Sequence, residues 1–254
     1  MGALELTLWA ILALSFASFA NVLIVRVPDR KSINGRSHCL ICEHEITAIE
    51  NIPVLSFIFL RGRCSQCKSR ISWRYPAVEL LTLMLVLFVI TRVDGVLLQV
   101  TWFIFVVAGL ALAAIDLEHH RLPNLITLPL ALVVAALLLI QSLSDSSFRD
   151  FEISLISSLT LTTFYLLVHL LSRGGMGMGD VKFALSIGLI TGFGAPLGTY
   201  IATMIAFIAG SIIGLALIIT KRGGRKTQVP LGPFMYLGAV ASLWAVPVIE
   251  KALG

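Results

Sequence analysis

Apolar stretches of about 20 residues recur along the whole chain, and they limit the fold more than any motif does. A stretch of that length crosses the hydrocarbon core of a bilayer as an α-helix. Eight segments qualify, at 5–25, 76–92, 97–115, 125–142, 153–171, 183–194, 197–220 and 233–250, the sixth being short and rich in glycine. The expected fold is an all-α polytopic membrane protein with about eight transmembrane helices. Only 13% of the 254 residues are charged, half the share of a soluble domain. The net charge of +5 is read as loop Lys and Arg facing an anionic bilayer surface, with no nucleic-acid partner expected. The first segment lacks a basic leader and an A-x-A site, so it reads as a retained span and not as a cleaved signal peptide.

Lys and Arg set the orientation. With the N-terminus outside, the inside segments 26–75, 116–124, 172–182 and 221–232 hold 16 of the 19 basic side chains. Only Arg92, Arg149 and Lys251 fall outside. That asymmetry supports the assignment. It also supports the short sixth span, without which Lys221, Arg222, Arg225 and Lys226 would lie outside.

Segment 26–75 is polar and carries Cys39-x-x-Cys42 and Cys64-x-x-Cys67, separated by 21 residues. Four thiolates in two such knuckles close a tetrahedral shell around zinc. A module this small builds little core, so a metal would supply most of its folding free energy. Structural zinc on Cys39, Cys42, Cys64 and Cys67 is the expectation. Redox-active cysteines would suit an oxidising compartment, whereas the charge asymmetry puts these in the reducing cytoplasm.

Ionisable residues at the ends of spans are the next candidates, because charge at membrane depth is costly. Asp116 ends the third span and Asp180 precedes the sixth, both on the cytoplasmic side. Two carboxylates brought together at one depth can share a proton, the ionised one taking a proton from water and the protonated one donating to a carbonyl. Taken singly, a span-terminal aspartate is more often a solvated helix end or cap. Gly174, Gly175, Gly177 and Gly179 crowd the residues before Asp180, and glycine permits close backbone approach, as of an extended substrate strand. No Gly-Lys-Ser/Thr follows, so the run is not a phosphate-binding loop. Adjacent His119 and His120 read as loop residues, and His169 as a buried or interfacial side chain.

Gly177–Met178–Gly179–Asp180–Val181–Lys182 resembles the G-x-G-D-x-K signature of prepilin peptidases, which are membrane aspartyl proteases. Asp116 with Arg121–Leu122–Pro123–Asn124 is similar to the family's first aspartate motif. Asn51–Ile52–Pro53, Arg61–Gly62–Arg63–Cys64, Tyr75–Pro76–Ala77–Val78–Glu79 and Pro230–Leu231–Gly232–Pro233–Phe234 resemble further family text in the same order. The resemblance implies catalytic Asp116 and Asp180, supported by Gly177, Gly179 and Lys182. It implies cleavage of type IV prepilin or type II secretion pseudopilin leaders at the cytoplasmic face of the inner membrane. The long form with the cysteine insertion also N-methylates the new terminus from S-adenosylmethionine, which points to a methyltransferase region around Asn21 and Glu79. The implied domains are a first transmembrane helix (1–25), a zinc-binding insertion with the four cysteines (26–75) and a transmembrane peptidase domain (76–254). Two departures touch the methyltransferase half. The family's Gly-Ser-Phe-Leu-Asn reads Ala17–Ser18–Phe19–Ala20–Asn21 here, and Leu40 replaces the proline after the first cysteine. A peptidase without methyltransferase activity, a proton-coupled transporter using the same acids, and a quinone-linked thiol oxidoreductase are the other readings. A transporter would place its acids nearer the midplane, within repeats, and the oxidoreductase would need the cysteines outside.

Overall fold

In lipid each backbone N–H and C=O must find its partner within the chain, and a helix does this locally. The computed structural model describes residues 2–172, 176–220 and 229–253, and is helical throughout its apolar length. Gly174, Gly175 and the basic cluster Lys221, Arg222, Arg225 and Lys226 lie outside the described residues. The nine α-helices among the described residues are α1 (Ala3–Arg26), α2 (Leu55–Phe59), α3 (Arg74–Ile90), α4 (Val96–His119), α5 (Asn124–Ser144), α6 (Phe148–Leu171), α7 (Met178–Gly192), α8 (Leu197–Ile219) and α9 (Gly232–Leu253). Each of the eight apolar segments coincides with a helix. Six of these (α1, α4, α5, α6, α8 and α9) are long and apolar enough to cross a membrane. The other two, α3 and α7, are shorter, at 17 and 15 residues.

The chain divides into two compact units, Met1–Thr91 and Arg92–Gly254. In the first, α1 packs against α3. Trp9, Ala13, Ala17, Ala20 and Ile24 recur every three or four residues and form the buried stripe of α1. Its small alanines allow a close approach, while Leu8, Ile11 and Phe16 remain exposed. The cysteine segment and α2 connect the two helices.

In the second unit α7 is the inner helix. It packs on α5, α6, α8 and α9, and eleven of its fifteen residues are buried. A helix so enclosed needs no long apolar outer face, which is why its sequence looks weak as a span. It begins at Met178, five residues before the segment expected from hydropathy, because Gly177 and Asp180 cap it. Small residues bring α6 and α7 together. Gly188 lies against the Ser158 main chain, and a Cβ there would collide with the Ser158 Cα. The hydroxyls of Ser154 and Ser158 donate across the contact to the Leu189 and Leu185 carbonyls, at 2.6 and 2.9 Å. Close backbones and short polar links hold helices where no hydrophobic difference between lipid and helix exists. On the opposite side Phe105 of α4 stacks near Phe183 of α7, with Tyr236 of α9 as a third ring.

This packing generates a stability prediction. Gly188→Ala should destabilise the protein by about 1–3 kcal/mol through overpacking. Gly214→Ala, whose nearest neighbour is a Val229 methyl at 4.0 Å, should change stability by less than about 0.5 kcal/mol. Thermal unfolding in detergent compares the two, and equal melting temperatures would contradict the close α6–α7 contact.

Candidate active site and metal centre

Asp116 stands in the last turn of α4 and is 5% exposed. Its Oδ2 accepts the Gly232 N–H at 3.0 Å, so the C-terminal Pro-Leu-Gly-Pro motif meets the first aspartate. Asp180 is 8% exposed in the first turn of α7. Its Oδ2 accepts the Gly177 N–H at 3.2 Å while its own N–H donates to the Gly177 carbonyl. The reciprocal pair satisfies donors that the helix start leaves open.

The two carboxylates are close enough to interact electrostatically. Leu122 lies between their supports. A Cβ on Gly179 would sit 2.8 Å from the Leu122 Cβ and 3.3 Å from its nitrogen. A Cβ on Gly232 would sit 2.9 Å from Asp116 Oδ2 and 3.2 Å from Leu122 Cδ2. The space over Gly179 is thus taken by Leu122 of the same chain and is not open to a substrate strand. Lys182 does not turn to Asp180. Its Nζ donates to Asn124 Oδ1 at 2.8 Å, tying α7 to the start of α5. Among the described residues neither aspartate is in a salt bridge. His169 comes within electrostatic reach of Asp180 and anchors its own ring on the Met176 carbonyl at 2.7 Å. Tyr165 also senses Asp180 and is buried. His119 and His120 are exposed, as a loop reading expects, and His120 ends α4 in the left-handed conformation at φ 51°. Gly232, Leu122 and Tyr165 were not singled out by sequence. Motifs quoted without a partner give no role to Gly232 or Leu122, and Tyr165 looks like an ordinary span residue.

The four cysteines converge. Their sulfurs all lie within 4.8 Å of one another, with Cys39–Cys67 at 3.8 Å and Cys42–Cys64 at 3.9 Å. Tetrahedral ligation at the usual zinc–sulfur length puts sulfurs ~3.8 Å apart, so this donor set fits such an ion. The two knuckles are built alike. Each cysteine pair is framed by a bridge, His38 with Glu45 and Arg63 with Arg70. Each turns through a residue at φ 58°, Glu43 and Lys68, directly after its second cysteine. Cys39 is pulled down to about 6 by the backbone N–H groups of Cys42 and Ile41. At Cys42 the His44 N–H pulls down, but burial and the Cys67, Cys39 and Cys64 sulfurs outweigh it and push the thiol up to about 11. Four crowded sulfurs cannot all ionise alone, and a divalent cation removes that conflict. Glu50, lowered to about 2 by the Ser65 hydroxyl and the Thr47 N–H and hydroxyl, links the two knuckles.

Asn21 and Glu79 also meet. The Asn21 side chain donates to the Tyr75 carbonyl at 3.2 Å and bonds Glu79, whose Oε2 accepts the Val54 N–H at 2.7 Å. Val54 is held at φ 62°, where a β-branched residue is strained.

The knuckle geometry predicts that Glu43→Gly and Lys68→Gly each stabilise the metal-loaded protein by about 0.4–1 kcal/mol, because glycine accepts positive φ without strain. Chelator competition should show metal affinity kept or raised in both. It should fall sharply in Cys64→Ser, and weakened binding in either glycine variant would contradict the turn assignment.

Comparison with known proteins gives two adjoining family matches. Residues 11–93 match the bacterial peptidase A24 N-terminal domain, and residues 102–219 match the type IV leader peptidase family. A Pseudomonas putida protein named prepilin leader peptidase/N-methyltransferase is 32% identical, over 94% of this chain and 90% of its own. Proteins of the same name from Stutzerimonas stutzeri and Aeromonas hydrophila are 33% and 36% identical, covering 85% and 82% of this chain and 74% and 71% of theirs. No solved structure matches the chain.

Proposed function

Because the chain belongs to the type IV leader peptidase family, we propose that it removes the leader of type IV prepilins or type II secretion pseudopilins and N-methylates the new terminus. The supporting observation is the pair of buried, electrostatically interacting carboxylates Asp116 and Asp180, each held by one main-chain N–H. Two like charges in one buried site favour a single shared proton. The ionised carboxylate takes a proton from the attacking water. The protonated one donates a hydrogen bond to the scissile carbonyl and then a proton to the leaving nitrogen, with no covalent intermediate. Gly232 and Gly177 orient the two groups, and Gly179 and Lys182 set the start of α7 against α5.

In this reading α3 and α7 cross the bilayer as well, giving eight spans, with the active site at the cytoplasmic face of the inner membrane. Residues 1–25, 26–75 and 76–254 serve as first helix, four-cysteine insertion and peptidase domain. The ion in the insertion is zinc, held by Cys39, Cys42, Cys64 and Cys67 in a structural role, since four thiolates leave no open coordination position. S-adenosylmethionine supplies an electrophilic methyl group when bound. The chain's part is to present an uncharged terminal amine to it, and Asn21 and Glu79 belong to that region.

Incubating the purified chain with candidate prepilins, then weighing the product N-terminus, reads leader loss and methyl gain together. Asp116→Asn and Asp180→Asn should each cut cleavage by roughly 10²-fold or more, and the double variant should be no worse than either. A single variant that cleaves at near wild-type rate removes that residue from the mechanism. Asp180→Asn should still methylate a peptide supplied already cut. Failure there in a well-folded variant, with the wild type active on the same peptide, would show that the two sites are coupled.

A further inference from the structure

Glu79 is a buried carboxylate without a countercharge. It sits in the second turn of α3, 8% exposed, and its partners are the Val54 N–H and the Asn21 side chain. Among the described residues no Lys, Arg or His pairs with it. A carboxylate removed from water normally has a cation beside it.

There is room for one. Glu79 and Asn21 line a cavity of about 450 Å³ within the first unit, with walls that include Val22, Val25, Ile41, Phe57 and Leu60. That is the size of a small-molecule site, and its surface is mainly apolar although polar and charged side chains also border it. Five basic residues border it, Arg26, Lys31, His38, His44 and Arg70; none is paired with Glu79, and three are engaged elsewhere. Arg26 donates to the carbonyls of Ser32, Asn34 and Arg36, Lys31 pairs with Asp29, and His44 pairs with Glu50. The Asn21 amide can point only one way. Its nitrogen faces two acceptors, the Tyr75 carbonyl and Glu79, and a flipped amide would set oxygen against both. Its Oδ1 is therefore left as a buried acceptor without a partner, next to the carboxylate. A buried carboxylate with no cation beside it and one unused acceptor, facing a cavity of mainly apolar surface, suit a cation that carries little hydration.

We propose that Glu79 is the cation site of this cavity and holds a small onium centre, either the sulfonium of the methyl donor or the α-ammonium of the newly cut substrate. The choice of these two sources rests on the N-methylation proposed above. Asn21 is the positioning residue, fixing the carboxylate from α1.

Calorimetric titration of the full chain in lipid nanodiscs tests it in two arms. One arm compares S-adenosylmethionine with S-adenosylhomocysteine, which lacks the methyl group and the charge. The other compares a short peptide carrying the mature substrate N-terminus, free or acetylated. In at least one arm the charged member should bind about tenfold or more tightly than its neutral analogue, the scale of one charge-assisted contact. Glu79→Gln, which keeps an oxygen for the Val54 N–H, should bring that ratio to near one. The arm that discriminates names the source. No discrimination in either arm, or a ratio that survives Glu79→Gln, overturns the proposal. Metal content verifies that the variant is folded. Should it not be, Val22→Trp, which fills the cavity from α1 without touching Glu79, must abolish binding of the favoured ligand, and retained binding overturns the assignment. A wild-type chain that cleaves but transfers no methyl group refutes the N-methylation reading. Unchanged ratios in Glu79→Gln alongside active methyl transfer refute the cation site alone.

Discussion

The approach of Gly179 and Gly232 to the turn at Leu122 leaves less than a methyl group of room, and the positions of Asp116 and Asp180 follow from it. Neither aspartate is fixed by an opposite charge among the described residues. Each is held by a single main-chain N–H, and those N–H groups are aligned only because their segments pack on Leu122 without a side chain between them. Had the site been built on Lys or Arg pairs, both carboxylates would stay ionised, and neither could act as the acid. Steric closeness positions the pair while leaving its charge state free for proton exchange.

The same economy holds through the second unit. Lipid offers helices no hydrophobic reason to associate, so small residues and short hydroxyl bonds do the joining. Gly188 against Ser158, with the Ser154 and Ser158 hydroxyls on α7 carbonyls, buries a helix whose sequence is barely apolar enough to be noticed. A rigid inner α7 is what a site at its first turn needs, since Asp180 moves with the helix that carries it.

Hydropathy made the helical segments legible, because length and apolarity are summed properties that survive a local ambiguity. The cysteine cluster was equally legible, since its chemistry is written in the spacing. Other features were hidden for identifiable reasons. The start of α7 is set by a carboxylate cap, which no hydropathy window detects. Lys182 stands two residues from Asp180 in the signature, yet residues two apart on a helix do not share a face, and it reaches Asn124. Gly179 does mark a close approach, but the neighbour is Leu122 of the same chain and not the substrate strand that the sequence suggested. Glu79 and Asn21 lie 58 positions apart, and no periodicity links them.

The first unit poses the opposite problem from the second, because its connecting segment has little apolar core and yet holds a strained turn. Val54 at φ 62° costs on the order of 1–3 kcal/mol, and such strain persists only where the surroundings over-determine it. The constraint is Glu79 Oε2 on the Val54 N–H, a charge-assisted bond at 2.7 Å. The first knuckle lines the same cavity as Glu79, through Cys39, Leu40 and Ile41. One carboxylate thus holds the strained turn through Oε2 while lining the cavity beside it.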